Sequence, residues 1–236
     1  MQPKIIDKSA DLSLPQTPSR ARIIALTGMP GSGKDSLLKF IEELELNIDV
    51  VRPKEFVKKE MQGQSLLTDF SKVKRFASVY MGKAIKDKMQ EENVPITSES
   101  VREFATNLRK AMGYDIVARL CVPAIEQSIK FGKTVIIEDI KGWEEVKFFR
   151  KHFGTDFALV AIHTPPHIRF QRAQSRESEW DQKRVATKDE FDFRDEKELG
   201  WGLGNAVAMS DYVIVNDGTV EAFKENAEKL FRKLLN

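Results

Sequence analysis

Cysteine is almost absent from this chain, which has 236 residues and one thiol, at Cys121. A single cysteine cannot form a disulfide framework or a zinc cluster within the chain. Histidine is also scarce, and the three histidines, at 152, 163 and 167, are scattered without the spacing of a metal site or a catalytic triad. The sequence therefore predicts neither a disulfide scaffold nor a zinc enzyme, and it fits a reducing compartment.

The chain also lacks long apolar runs and a strong net charge. No apolar run reaches the ~18 residues of a transmembrane helix, and a formal net charge of +2 gives no field to attract nucleic acid or a membrane. Residues 1–20 alternate charges and prolines without the apolar core of a secretory signal. We expect a cytoplasmic protein with a flexible tail over 1–20 and no membrane or nucleic-acid partner; the sequence leaves the oligomeric state open.

Short apolar runs alternate with longer helical patterns, which is typical of a parallel sheet with crossover helices. We predict one domain over residues 21–236 with a three-layer α/β fold, in which a five-stranded parallel sheet carries helices on both faces. The predicted strands are 22–27, 48–51, 134–138, 157–162 and 212–215. The predicted helices are 34–46, 71–91, 98–112, 115–130, 142–152, 166–176, 188–199 and 219–234.

The strongest motif is a glycine-rich loop between the first predicted strand and the first helix. Its residues are Gly28, Met29, Pro30, Gly31, Ser32, Gly33, Lys34, Asp35 and Ser36. Glycines let successive backbone amides turn toward one anion, and the helix N-terminus adds the positive end of its dipole. A lysine at this point supplies a cation for the outer phosphates. With the strand before it and the helix after it, the motif predicts a phosphate-binding P-loop and hence the fold of P-loop NTPases.

The residue after Lys34 departs from the usual P-loop pattern, in which a Ser or Thr hydroxyl binds Mg²⁺. Here that residue is Asp35, whose carboxylate oxygens suit the same hard cation directly or through water. Ser36 offers a hydroxyl one residue later and is the alternative. We favour Asp35 because Lys34 fixes the register of the motif.

Two regions are longer than a minimal crossover requires, and both are expected at the carboxyl ends of the strands, where open α/β sheets bind ligands. Residues 53–113 are polar and helical, and residues 169–204 are densely charged. In P-loop kinases such insertions hold the phosphate acceptor and form a closing lid. We therefore predict an acceptor-binding insertion over 53–113 and a lid over 169–204.

Two acidic residues, Glu138 and Asp139, stand at the end of the third predicted strand. An acidic residue beside the P-loop strand would face Mg²⁺ or the acceptor. Alternation along a strand puts neighbours on opposite faces, so it does not decide between the two. Asp139 as a simple turn cap is the alternative to a functional role.

Arginines recur at helical spacing in both insertions. In the lid region, Arg169, Arg172 and Arg176 share one helix face and could close over a transferring phosphoryl group, or could pair with nearby glutamates in solvent. We predict catalytic roles for Arg172 and Arg176, with two weaker candidates at 184 and 194. In the acceptor insertion, Arg102 and Arg109 share a face and could grip an acceptor phosphate, unless two nearby glutamates, at 99 and 103, neutralise them.

Two further segments suggest roles near the nucleotide. Trp201 stands among glycines directly after the charged insertion, where it predicts either a hinge of the lid or a turn with a packed indole. The last predicted strand runs into Asn216 and a turn, and a strand end there could present backbone and the Asn216 amide to a purine ring.

Four segments are similar to those of an archaeal group of P-loop proteins, UPF0200, which is related to dephospho-CoA kinases and nucleoside monophosphate kinases. They are residues 28–36, 101–109, 198–205 and 211–218, and the resemblance extends over about 22–234. It implies ATP binding at 28–35 and a kinase-type fold with a lid, and it leaves the acceptor open. Two positions depart from the group: Asp35 stands where Ser is usual, and Glu138-Asp139 stands where an Asp-Gly pair is expected.

From these features we predict an ATP- and Mg²⁺-dependent phosphotransferase acting on a small acceptor, a nucleoside monophosphate or a dephospho-CoA-like molecule. Lys34 and the lid arginines would stabilise the transferring phosphoryl group, and Asp35 with Glu138 or Asp139 would position Mg²⁺. Arg102 and Arg109 would hold the acceptor. The alternative is an ATPase or nucleotide-dependent switch that acts on a protein or RNA partner.

Overall fold

The computed structural model describes residues 6–7, 21–45, 76–175 and 187–235 of the chain. These form one six-stranded sheet with the order β1-β6-β5-β2-β4-β3. Five strands run parallel, and β1 pairs antiparallel with the edge strand β6. The strands are β1 Ile6–Asp7, β2 Ile23–Thr27, β3 Phe76–Tyr80, β4 Thr134–Ile140, β5 Phe157–His163 and β6 Tyr212–Val215.

Helices cover both faces of the sheet, as the sequence predicts. They are α1 Lys34–Glu45, α2 Met81–Glu91, α3 Ser98–Met112, α4 Ile116–Lys130, α5 Trp143–Phe153, α6 Pro166–Ser175, α7 Lys188–Gly200, α8 Leu203–Ala208 and α9 Val220–Leu235, with a 3-10 turn over Gly154–Asp156. The first core layer packs α2, α4 and α5 on one face of the sheet, and the second packs α1 and α9 on the other. The predicted three-layer α/β fold is confirmed.

Strand β2 lies in the centre of the sheet, and its burial on both faces explains why its sequence is a continuous apolar run. Ile23 and Ala25 enter the first core layer, whereas Ile24 and Leu26 enter the second. All four side chains are fully buried. A parallel strand that is covered on both faces has no solvent side and so shows no polar alternation.

One predicted element is wrong in type. Residues 71–91 are predicted as a single helix, but Phe76–Tyr80 is strand β3 and the helix begins at Met81. The segment is rich in aromatic and β-branched residues, which favour strands, and flanking lysines give it the spacing of a surface helix. The strand predicted at 48–51 lies outside the described residues.

Within the predicted tail over 1–20, Ile6 and Asp7 form strand β1, which pairs with Val213 and Tyr212 of β6. The rest of residues 1–20 lies outside the described part of the chain. Among the described residues, no helix combines the length and the apolar character needed to cross a membrane.

Candidate active site

A cavity of about 620 Å³ opens at the carboxyl ends of β2 and β4. This volume lies in the usual range for small-molecule sites. The cavity sits where the sheet order reverses, since β3 and β4 lie on one side of β2 and β5 and β6 lie on the other. Residues 30–36 of the glycine-rich loop line it, together with Tyr80, Glu138, Asp139, Lys141, Arg172, Arg194 and Asn216.

The loop requires glycine at two positions, Gly28 and Gly33. Gly28 has φ +149°, and a Cβ there would lie 2.5 Å from the carbonyl oxygen of Ile162. Gly33 has φ +106°, and a Cβ there would lie 2.3 Å from Nδ2 of Asn216. The backbone is therefore pressed against the ends of β5 and β6, which only a residue without a side chain permits.

Side chains from other elements hold the carbonyl oxygens of the loop. Thr164 Oγ1 and Asn216 Nδ2 both donate to the Ser32 carbonyl, at 3.0 and 2.8 Å. Arg169 Nη1 donates to the Pro30 carbonyl at 3.3 Å. Because N–H and C=O point in opposite directions across a trans peptide, these bonds turn the Gly31 and Gly33 amides to the other side of the loop.

The Ser32 hydroxyl supports a ligand at this loop. In the part of the chain that the structure describes, Ser32 Oγ is the one buried side-chain polar atom without a hydrogen-bond partner. Such atoms are rare, because leaving one unsatisfied costs about 1–3 kcal/mol. The free hydroxyl, the glycine cradle and Lys34 are together the donor set that a phosphate chain requires.

Lys34 is poised between the loop and the end of β4. Its Nζ donates to the Gly28 carbonyl at 2.5 Å and lies 3.5 Å from Oδ1 of Asp139. Burial lowers the pKa of Lys34, and Asp139 opposes that shift. The lysine therefore contacts both its own loop and the acidic end of β4; its predicted phosphate contact stays a prediction.

Glu138 and Asp139 both line the cavity, which strand alternation does not predict. Asp139 has φ +68°. The pairing of β2 with β4 shifts between Ala25, opposite Ile137, and Thr27, opposite Ile140. Two residues of β4 thus stand opposite one residue of β2, and this bulge turns both carboxylates to the same side.

Lys141 is a functional candidate that the sequence reasoning missed. Its Nζ lies 3.2 Å from Oδ2 of Asp139 and 2.9 Å from Oε2 of Glu198. Burial alone would lower the pKa of Lys141, but Asp139 and Glu198 outweigh it and hold that pKa well above its usual value. Burial would likewise raise the pKa of Asp139, and Lys141 and Lys34 hold it below the usual range. The sequence does contain a signal for this residue, because Lys141 stands two residues after Asp139, the second acidic residue at the end of the strand.

The acidic residues at the cavity are suited to a magnesium site that shares its ligands with phosphate. In the described ranges, no group of three or more His, Cys, Asp or Glu side chains is arranged to hold a metal alone. Magnesium in nucleotide sites needs one or two carboxylates, with phosphate oxygens and water completing its shell. Asp35, Glu138 and Asp139 all line the cavity; Asp139 is paired with two lysines, and Glu138 accepts a hydrogen bond from Ser78.

The predicted lid arginines occupy different environments. Arg169 is buried and makes a bidentate ion pair with Asp195, at 2.8 and 2.5 Å, with its guanidinium 5.0 Å from the Phe191 ring. Arg172 lines the cavity and contacts the Gly31 carbonyl at 3.2 Å. Arg176, and the weaker candidate at 184, lie outside the described residues.

Arg109 and Arg102 do not line the cavity. Arg109 is buried and pairs with Glu145 at 2.9 Å, with the Trp201 ring 5.7 Å from its guanidinium. Glu145 also accepts hydrogen bonds from the backbone amides of Lys141, at 2.9 Å, and Gly142, at 3.2 Å. Arg102 is exposed on α3. The neutralising partner of Arg109 is therefore Glu145 rather than either of the glutamates on its own helix.

Two other predicted residues have clear structural contacts. The Asn216 amide holds the Ser32 carbonyl, and its Oδ1 accepts from Arg172 Nη2 at 3.3 Å. Its predicted purine contact stays a prediction. Trp201 and Gly202 form the turn between α7 and α8, and the turn places the indole beside Arg109.

The fold and the glycine-rich loop define a P-loop nucleotide-binding protein. A family model described as an AAA domain matches residues 24–198. A UPF0200 protein of Thermococcus onnurineus is 33% identical over 214 residues, which cover 90% of this chain and 98% of the relative. One of Sulfurisphaera tokodaii is 31% identical and is covered over 99% of its length. The chain belongs to the UPF0200 family.

The crystal structure of TT1252 from Thermus thermophilus has a similar fold. It superposes with a TM-score of 0.51 at 13% sequence identity, covering 92% of this chain and all of that one. At this identity the likeness concerns the fold alone.

The first prediction concerns Glu138, whose pKa is raised by burial and by the negative charges of Asp139 and Asp35. The folded state therefore penalises ionised Glu138, and the penalty is complete above its folded pKa and absent below the unfolded value. We expect Glu138→Gln to raise the free energy of unfolding at pH 7.5 and to lose that gain as the pH falls to 4.5. Urea denaturation of both proteins at the two pH values checks this, and an equal effect at both would contradict it.

The second prediction concerns the buried pair of Arg109 and Glu145. Removing one partner leaves a buried charge unpaired, which costs about 3–5 kcal/mol. We expect Arg109→Met to lower the free energy of unfolding by that amount, and the matched change Arg102→Met on the exposed side of the same helix to change it by less than about 1 kcal/mol. Similar losses in both variants, measured by urea denaturation, would refute the structural role of Arg109.

Proposed function

We propose that this protein is an ATP- and Mg²⁺-dependent phosphotransferase that moves the γ-phosphoryl group of ATP to a small acceptor. One observation carries the proposal: a single cavity joins the phosphate-binding loop, two lysines and an acidic strand end. Phosphoryl transfer needs positioning and charge stabilisation more than covalent chemistry, and these groups supply both.

The residues that line the cavity are assigned different roles according to their positions. The Gly31 and Gly33 amides, the Ser32 hydroxyl and Lys34 hold the β- and γ-phosphates. Asp35 and Glu138 hold Mg²⁺, which when bound neutralises charge on the phosphate oxygens. The acceptor oxygen forms a bond to the γ-phosphorus as the bond to the bridging oxygen of ADP breaks.

Arginines complete the proposed site. Arg172 lies against the loop at the cavity and stabilises the transferring group, with Arg176 predicted to act beside it. Lys141 and Arg194 line the cavity, whereas Arg102 and Arg109 do not, so we assign the acceptor to the first two. We assign Arg109 to positioning, since it acts through Glu145 on the backbone of Lys141.

The third prediction tests the loop lysine. Lys34→Ala removes the cation that contacts the outer phosphates, so we expect phosphoryl transfer to fall by about 100-fold or more while the fold is retained. The matched control is Lys229→Ala, on the exposed face of α9, which should keep wild-type activity. A fully active and folded Lys34→Ala protein would overturn the proposed site.

The acceptor is identified by measuring ADP release from ATP and Mg²⁺. The panel contains ribo- and deoxynucleoside monophosphates, dephospho-CoA, phosphomevalonate and a control without acceptor. The relation of the family to dephospho-CoA kinases and nucleoside monophosphate kinases supports this choice. Release that requires one acceptor is the expected result. Release that is equal in every mixture would contradict transfer and favour an ATPase or nucleotide-dependent switch.

A further inference from the structure

Lys141 lies at the end of β4 with two acidic partners from different elements. Asp139 belongs to β4, two residues before Lys141, whereas Glu198 comes from α7, 57 residues further along the chain. The Lys141 side chain is 23% exposed and lines the cavity. The lysine is therefore a charged group that a ligand in the cavity can reach.

A single carboxylate serves both lysines of the site. Oδ1 of Asp139 faces Lys34 and Oδ2 faces Lys141. One negative charge does not balance two ammonium groups, and Glu198 supplies the second. Lys34 belongs to the phosphate loop, and Lys141 lies against the other oxygen of the same carboxylate.

We propose that Lys141 is a second phosphate-binding cation, and that Glu198 competes with that phosphate for the same ammonium group. The inference rests on the proposed function for the identity of its ligand. The phosphate comes either from the γ-position of the nucleotide or from the acceptor, and both present the same oxygen ligands to a lysine.

Glu198 can release Lys141 without detaching α7. The same helix carries Asp195, one turn earlier, which makes the bidentate pair with buried Arg169. Phe191 adds a further contact to Arg169. The pair of Asp195 with Arg169 therefore holds the helix independently of Glu198. Replacing Glu198 by phosphate at Lys141 breaks one partly exposed ion pair, in which the Glu198 side chain is 16% exposed.

A purely structural role for Lys141 predicts a different result. If the lysine only fastens β4 to α7, weakening either partner lowers stability and leaves ligand selectivity unchanged. If Glu198 competes with phosphate, removing the Glu198 charge strengthens phosphate binding. The two roles therefore give opposite signs for one substitution.

The experiment is isothermal titration calorimetry in Mg²⁺ with three probes: ADP, the non-hydrolysable ATP analogue AMP-PNP, and AMP added to the ADP complex. The variants are Lys141→Met, Lys141→Arg and Glu198→Gln, with Lys229→Met as the control because Lys229 lies on the exposed face of α9 and does not line the cavity. Thermal melting establishes that each variant is folded.

We expect Lys141→Met to weaken one phosphate probe by about 10- to 100-fold, the worth of a charged hydrogen bond, with ADP affinity unchanged. Loss confined to AMP-PNP assigns the γ-phosphate, and loss confined to AMP assigns the acceptor phosphate. Lys141→Arg and Lys229→Met keep near-wild-type affinity, and Glu198→Gln binds the affected probe more tightly.

Affinities within about twofold of wild type for AMP-PNP and AMP in Lys141→Met would overturn the proposal. So would weaker or unchanged binding in Glu198→Gln, which keeps the proposal testable if Lys141→Met does not fold. Failure of the proposed function is a separate result: wild-type protein that transfers phosphate to no acceptor refutes the reaction, whereas the binding pattern decides the role of Lys141.

Discussion

The carboxylate of Asp139 lies between the ammonium groups of Lys34 and Lys141, and the electrostatics of the site depend on that placement. Strand β4 places the carboxylate there only because it contains a bulge. In that bulge Asp139 has φ +68°, a left-handed conformation that is unfavourable for most residues. Strained backbone of this kind persists where surrounding contacts overdetermine it, as two partly buried ion pairs do here. Without the bulge, one of the two acidic side chains would point away from the cavity.

The phosphate loop takes its shape from parts of the chain that are distant in sequence. Thr164 follows β5 and Asn216 follows β6, 132 and 184 residues from the Ser32 carbonyl that both contact. The glycines of the motif allow the loop backbone to turn. The direction in which the loop carbonyls and amides point is fixed by contacts with residues at the ends of β5 and β6. Anion binding is therefore a property of the assembled sheet rather than of the glycine-rich segment alone.

The difference between features set by local sequence and features set by long-range contacts explains what the sequence could predict. The loop, the parallel strands β2, β4, β5 and β6 and most helices follow from local pattern, because buried parallel strands and amphipathic helices have distinct periods. Strand β3 was missed because five residues between charged segments carry too little periodicity. The shared face of Glu138 and Asp139 was missed because alternation assumes a regular strand, although Asp139 stands where related sequences are expected to have glycine. Lys141 and the partner of Arg109 depend on long-range contacts that no local pattern encodes.

Buried ion pairs contribute little net stability, since desolvation offsets their attraction, so their arrangement needs another explanation. Arg109 pairs with Glu145, and the same carboxylate holds the backbone amide of Lys141. The Lys141 side chain then meets Asp139 and Glu198. The chain of contacts runs from α3 through α5 and β4 to α7, and each link fixes the position of the next. Its consequence is geometric: a charged lysine is held at one place beside the phosphate loop, between carboxylates from β4 and α7.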